Sequence, residues 1–132
     1  MEDIIGTYEE REWEVLDEGT YEAELIDIEK RTITIYDNGE EEERDILNWI
    51  FDIDGNHVRG TTSTIISTRS KAGRWCEALL QRKLEDGEVI KKSDLTGKKA
   101  LVYVIVKQGK TADIQFNNVK DVMPLPKKKG KK

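Results

Sequence analysis

Three cationic side chains, Arg69, Lys71 and Arg74, cluster at the start of the one segment with clear helical periodicity. The backbone N–H groups and the dipole of a helix favour a bound anion at this end, so the cluster could hold a phosphate group. The alternative is an ordinary solvated helix end. No glycine-rich phosphate loop accompanies the cluster, so the pattern suggests phosphate binding rather than phosphoryl transfer.

The inventory of reactive side chains argues against catalysis. The chain has one histidine, His57, and one cysteine, Cys76. This pair cannot supply a histidine and cysteine zinc site or an internal disulfide, and most catalytic triads are excluded. No pair of carboxylates is recognisably placed for a nuclease or a glycosidase. We expect no enzymatic activity, no metal site and no cofactor.

Charge is distributed unevenly along the 132 residues, whose formal net charge is −5. Residues 1–24 contain ten Asp or Glu and one Arg, whereas residues 55–110 contain twelve Lys or Arg and five Asp or Glu. Five of the last six residues are lysines. A basic patch attracts a polyanion whatever the total charge, so this distribution favours a nucleic-acid partner. The lysine tail could add to that attraction or serve only solubility.

The length and composition fit one folded, soluble domain. Three Trp, four Tyr, two Phe and alternating β-branched runs supply a core. No apolar run approaches the ~20 residues of a membrane span, and the start of the chain lacks the pattern of a signal peptide. We expect a cytoplasmic protein that does not bind membranes.

Alternating apolar and polar residues predict three strands in the first half. The first covers 19–28, with a change of phase that indicates a β-bulge near 25–26. Residues 31–36 either continue this strand or start a ribbon, and 40–43 are interpreted as an acidic loop tip. Residues 45–54 and 57–66 form the next two strands, joined by a tight turn.

The second half predicts one helix and two strands. Apolar residues recur at helical spacing over 71–83, after hydroxyl residues that suit a cap. Residues 100–106 are apolar at both odd and even positions, as in a strand buried on both faces. A last strand is predicted over 113–122, before two prolines. Three strands, one short helix and two strands are the order of an all-β, five-stranded Greek-key barrel, the OB fold. We expect one domain over 1–126 with an acidic N-terminal arm, followed by a disordered tail at 127–132.

Five short segments together resemble a known family, over roughly residues 14–126. They are Trp49–Ile53, Gly60–Ser63, Ser70–Trp75, Asp94–Lys98 and Asn118–Pro124. The chain resembles the small phage-encoded OB-fold proteins associated with single-stranded DNA binding. The resemblance implies binding with little sequence preference, in DNA replication or recombination, in the host cytoplasm if the protein is viral. Bacterial single-strand binding proteins recruit partners through an acidic tail, a role that this basic tail does not match.

Single-strand binding needs a cationic groove and aromatic faces on which bases stack. In the OB fold the ligand face is formed by strands 2 and 3 and by the loops between strands 1–2 and 4–5. The candidate residues at these positions and at the helix start are Tyr36, Asn48, Trp49, Ile50, His57, Arg59, Arg69, Lys71, Arg74, Tyr103, Lys107 and Lys110. Trp49 and Trp75 could instead pack in the core, which would leave Asn48 and Ile50 on the outer face. Trp13 is a further candidate for an exposed ring.

Two other functions compete with this hypothesis. The chain could be an OB-fold interaction module whose basic side docks on an acidic protein of a replication complex. An oligosaccharide-binding module would also use aromatic platforms, but the basic middle segment gives no reason for a neutral ligand. Nucleic-acid binding requires Arg59, Lys107 and Lys110 to line one groove with an exposed ring. The sequence leaves open whether the protein is a monomer or a dimer.

Overall fold

The computed structural model describes residues 3, 5, 15–109 and 115–126, and most of the chain it describes is β-structure. The predicted acidic arm and lysine tail, with Trp13 and Lys110, therefore lie largely outside the described residues. In chain order the elements are β1 (Gly19–Asp37), β2 (Glu40–Ile53), β3 (Asn56–Ser63), α1 (Lys71–Leu80), α2 (Lys92–Leu95), β4 (Lys99–Gln108) and β5 (Gln115–Met123).

The five strands form one sheet that closes in a ring, in the order β1-β2-β3-β5-β4. β1 closes it, because Gly19–Glu24 pair with β4 while the rest of the strand pairs with β2. All neighbours are antiparallel except β3 and β5, which are parallel and share the single register pair Arg59 and Asn118. The five strands and their closure agree with the prediction.

The predicted bulge in β1 is confirmed. The register with β2 shifts between Leu25 and Asp27, so Ile26 is the extra residue. Leu25 faces the core and is fully buried, whereas Ile26 is exposed. A bulge bends the strand that carries it, and here it lies close to where β1 changes partners from β4 to β2.

β1 and β2 extend beyond the ring as a two-stranded β1–β2 ribbon, which we define as residues 31–45. β3 pairs with β2 only as far as Ile46, so within the described part of the chain the ribbon strands pair with each other alone. The prediction of an acidic loop over 40–43 was wrong, since Glu40–Glu43 belong to β2 and the turn is confined to Asn38 and Gly39. Four like charges did not prevent strand pairing because three of the four glutamates have uncharged partners on β1, and Glu40 alone lies opposite a carboxylate, that of Asp37.

The core is built around an aromatic contact between β2 and α1. The rings of Trp49 and Trp75 pack edge to face with their centroids 5.3 Å apart. The centroid of the Phe51 ring lies 6.2 Å from that of Trp75. All three side chains are fully buried. A Cβ on Gly60 would lie 2.6 Å from the Trp75 ring, so the glycine lets α1 approach β3 this closely.

The two ends of α1 are set by a capping side chain and by a left-handed residue. The Ser70 hydroxyl accepts a hydrogen bond from the Gly73 N–H at 2.9 Å, as an N-cap does. The helix ends at Leu80 because Gln81 adopts a left-handed conformation, three residues before the predicted end. The prediction of one helix between β3 and β4 was incomplete, since the short α2 follows α1 there. Four residues are too few to produce a hydrophobic periodicity.

Candidate functional site

A groove of about 410 Å³ lies where β3 and β5 meet. Arg59 and Asn118 pair across the junction, and His57 lies on the same β3 face two residues away. The groove is lined by Val15, His57, Arg59, Gln115, Phe116 and Asn118, among others. Cations, amides and one aromatic ring therefore share this surface.

Phe116 is the aromatic side chain of this groove, and 43% of it is exposed. It pairs across the sheet with Lys107 of β4. Directly opposed residues of antiparallel strands point to the same face, so the two side chains leave the sheet on the same side. A half-exposed phenyl next to a cation offers a flat apolar surface for a ligand that is itself flat and anionic.

Phe116 is not among the residues predicted from the sequence, although alternation counted from one core residue of β5 points to it. Val119 faces the core and Asn117 lies on the inner side with it, whereas Val122 reaches the core because the register with β4 shifts between Val119 and Asp121. Strand alternation then places residue 116 on the outer face. The residue also follows the connection between β4 and β5, which was predicted to flank the ligand face.

Lys71 marks a second part of the basic surface, at the start of α1. Its ammonium lies 5.1 Å from the centre of the Trp75 ring, over an aromatic face. Partial burial lowers the pKa of Lys71, and the cations of Lys107, Arg74 and Lys120 lower it further while Asp121 opposes them. Four cations thus lie close enough to repel one another, a situation that a bound polyanion relieves.

The cations of this surface differ from the two arginines of the β1–β2 ribbon. Arg31 and Arg44 in the β1–β2 ribbon are paired with Glu29 at 2.9 Å and with Glu42 at 3.5 Å. Within residues 15–109 and 115–126, no carboxylate lies within ion-pair distance of Arg59, Lys71 or Lys107. We define the basic groove as the surface formed by His57, Arg59, Lys71, Arg74, Lys107, Phe116, Asn118 and Lys120.

Among the described residues, His57 is the member of the basic groove that has a carboxylate within ion-pair distance. Its Nε2 lies 3.6 Å from the Asp52 Oδ1 across the β2–β3 pair, and the ring is well exposed. A neutral imidazole can donate or accept a hydrogen bond in the groove, whereas the protonated ring would share its charge with Asp52.

The structure excludes Trp49 as a base-stacking residue. Its side chain is fully buried, and its indole Nε1 donates a hydrogen bond of 2.9 Å to the Thr62 hydroxyl. The expectation that Asn48 and Ile50 would then be exposed was also wrong, because they are only 8% and 7% accessible. β2 lies between β1 and β3 at these positions, so side chains of both neighbours cover its outer face.

Of the two predicted tyrosines, Tyr36 lies away from the basic groove, whereas Tyr103 lies opposite Asp121, the carboxylate that acts on Lys71. Tyr36 is 72% exposed, but it lies in β1 near the end of the β1–β2 ribbon, not in a loop, and its register partner is Glu41. Tyr103 is half-buried on β4 opposite Asp121. Both therefore have acidic neighbours. Arg69 is exposed in the turn before α1, and Lys110 lies outside the described residues.

Comparisons of the chain with protein-family models and with curated proteins found no match. Across residues 15–109 and 115–126 no helix has the length and apolar character needed to cross a membrane. The same residues contain no group of three His, Cys, Asp or Glu side chains arranged to hold a metal ion.

Proposed function

We propose that this chain is an OB-fold protein that binds single-stranded DNA with little sequence preference in DNA replication or recombination. The OB-fold assignment is supported by the ring of five strands, the bulged β1 shared by two neighbours, and the helices between β3 and β4. The observation that carries the function is the exposed Phe116 ring beside Lys107 and Arg59, two cations without a described carboxylate partner.

Each part of the basic groove has a role in this proposal. Phe116 stacks on one base, which every base permits because each has a flat face. Arg59, Lys107 and the cations at the start of α1 neutralise backbone phosphates, a contact that carries no sequence information. Asn118 and His57 offer hydrogen bonds near the stacked base. Weak sequence preference follows, because one ring and two polar groups cannot read a series of bases.

The proposal is tested with a fluorescently labelled oligo-dT strand, by anisotropy at several salt concentrations. Four phosphate contacts predict a log–log slope near −3, since each contact on a single strand contributes about 0.7. Duplex of the same length is expected to bind more weakly. No binding at low salt would refute the proposed function.

The role of Phe116 is tested by substitution. Phe116→Ala is expected to weaken oligo-dT binding by about 5- to 150-fold, the usual value of one base stack, whereas Phe116→Tyr keeps the ring and most of the affinity. Lys107→Ala should reduce the magnitude of the salt slope by about 0.7. Arg44→Ala is the matched control, because it removes a cation of the ribbon that is paired with Glu42. Equal affinities for Phe116→Ala and the parent chain would contradict this assignment.

An acidic protein segment could also dock on these cations, which is the competing hypothesis of an interaction module. Such a partner needs charge complementarity but no stacking ring. The exposed Phe116 in the groove therefore favours a nucleic acid. Salt-dependent binding of an acidic peptide, together with no binding of oligo-dT, would select the interaction module instead.

A further inference from the structure

The outer edge of β1 in the β1–β2 ribbon is open within the described part of the chain. β1 pairs with β4 only over Gly19–Glu24, so along 32–36 its sole described neighbour is β2. These five residues are Thr32, Ile33, Thr34, Ile35 and Tyr36, all of high β-propensity, with no charge and no proline. An edge of this composition is a ready template for another strand.

The other edge of the ribbon is protected. Glu40–Glu43 occupy it, and a strand of the same composition brought alongside would oppose like charges. Charged side chains are a common means by which proteins prevent edge pairing. A second copy of this chain would therefore use the β1 edge and avoid the β2 edge.

The β1 edge is self-complementary in one two-fold register. A two-fold axis perpendicular to the sheet pairs two copies antiparallel and keeps equivalent faces together. Centred on Thr34, it places Ile33 opposite Ile35 of the other copy and Arg31 opposite Asp37. Opposite-charge and β-branched pairs of this kind stabilise neighbouring strands.

The two-fold registers centred one residue to either side of Thr34 lack these opposite-charge and isoleucine pairs. Centring the axis on Ile33 sets Asp37 opposite Glu29, which is a like-charge pair. Centring it on Ile35 sets Asp37 opposite Ile33 and leaves Arg31 opposite Gly39. The register centred on Thr34 is therefore favoured by both charge and apolar contact.

The side chains are available for these contacts. Ile33 is 38% exposed and lies on the same ribbon face as Ile35, Arg31 and Asp37, since all four have the same parity along the strand. Arg31 donates from Nε and Nη2 to Glu29, which leaves its Nη1 to reach a carboxylate of a second copy.

We propose that two copies of this chain associate through their β1 edges, around a two-fold axis at Thr34, to join two ribbons into a four-stranded sheet. The contact goes beyond DNA binding and is formed by residues outside the basic groove. A pairing of about five residues with four isoleucines is small for an interface, so the dimer is weak and its formation depends on concentration.

The test is sedimentation equilibrium of the full chain without DNA, over about 10 µM to 1 mM, the range in which a small interface of this kind dissociates. The parent chain is expected to shift from one to two chain masses. Arg31→Asp and Asp37→Arg are each expected to weaken the dimer about tenfold, because each creates two like-charge pairs. The double variant R31D/D37R reverses the pair and should return the dissociation constant to within about threefold of the parent value.

Arg44→Asp is the control, since it changes a ribbon cation of β2 that lies off the proposed interface. It should leave the dimer unchanged. A monomer at every concentration would overturn the proposal, and so would a double variant no tighter than the single ones. Oligo-dT binding by the parent chain and by Phe116→Ala is measured separately, so failure of the dimer and failure of the proposed function are distinguished.

Discussion

At the residue scale, one buried hydroxyl fixes the orientation of the central tryptophan. The Thr62 Oγ1 accepts from the Trp49 indole at 2.9 Å and donates to the Ser63 carbonyl at 2.8 Å. Trp49 is fully buried and Thr62 is only 4% accessible, so water does not replace this bond freely. The indole N–H therefore depends on a single side chain.

Thr62→Val is expected to destabilise the fold by about 1–3 kcal/mol, the cost of leaving a buried donor without a partner. Valine keeps the shape of threonine, so the change isolates the hydrogen bond. Urea unfolding measures the difference, and Thr61→Val on the exposed neighbouring position is the control. A loss below about 0.5 kcal/mol would show that the hydrogen bond contributes little.

At the element scale, an ion pair closes the connection between α1 and α2. The Arg82 guanidinium donates to both carboxylate oxygens of Glu88, and the Glu85 N–H donates to the same carboxylate at 3.0 Å. These contacts lower the pKa of Glu88 from 4.5 to about 2, with the hydrogen bond from Arg82 as the largest cause.

This depressed pKa makes the connection sensitive to acid. A carboxylate whose folded pKa is lowered stabilises the fold above pH 4.5, and that contribution is lost as the pH falls towards 2. Glu88→Gln is therefore expected to lower the Tm at pH 6, with a difference from the parent chain that shrinks by pH 2.5. Glu85→Gln, in the same connection, is the control. A difference that does not change with pH would contradict the assignment.

An element could be predicted from the sequence where a pattern within the element itself determines it. Ser70 marked the start of α1, the phase change marked the bulge at Ile26, and alternation marked β2. The length of the ribbon was not predictable, because the pairing of Glu40–Glu43 depends on the β1 residues opposite them. The burial of Asn48 and Ile50 depends on coverage from both neighbouring strands, which a single strand pattern does not contain.

At the scale of the whole molecule, charge is separated between two regions. The β1–β2 ribbon carries Glu40–Glu43, and the basic groove carries cations from α1, β3, β4 and β5. The net charge of −5 conceals this separation, since it sums regions of opposite sign. The sequence predicted a basic surface, but not that Tyr36 would belong to the acidic region.

This separation predicts how a polyanion approaches. The double variant E41Q/E43Q is expected to associate with oligo-dT faster than the parent chain at about 10 mM salt, where charges act over ~30 Å. At about 0.5 M salt the two rates should agree, because the interaction is screened. Stopped-flow anisotropy measures both rates. An acceleration that persists at high salt would point to a local contact, not to long-range repulsion.

The enclosure of Trp49 and Trp75 has a spectroscopic consequence. Both indoles lie in an apolar interior without water contact, which places their emission at short wavelength and shields them from a soluble quencher. Their signal changes when the core opens. Trp75 also lies under the Lys71 ammonium of the basic groove, so its emission responds to an anion bound there, whereas Trp49 is remote from these cations. A reporter of occupancy that is independent of folding therefore has to be carried by the ligand.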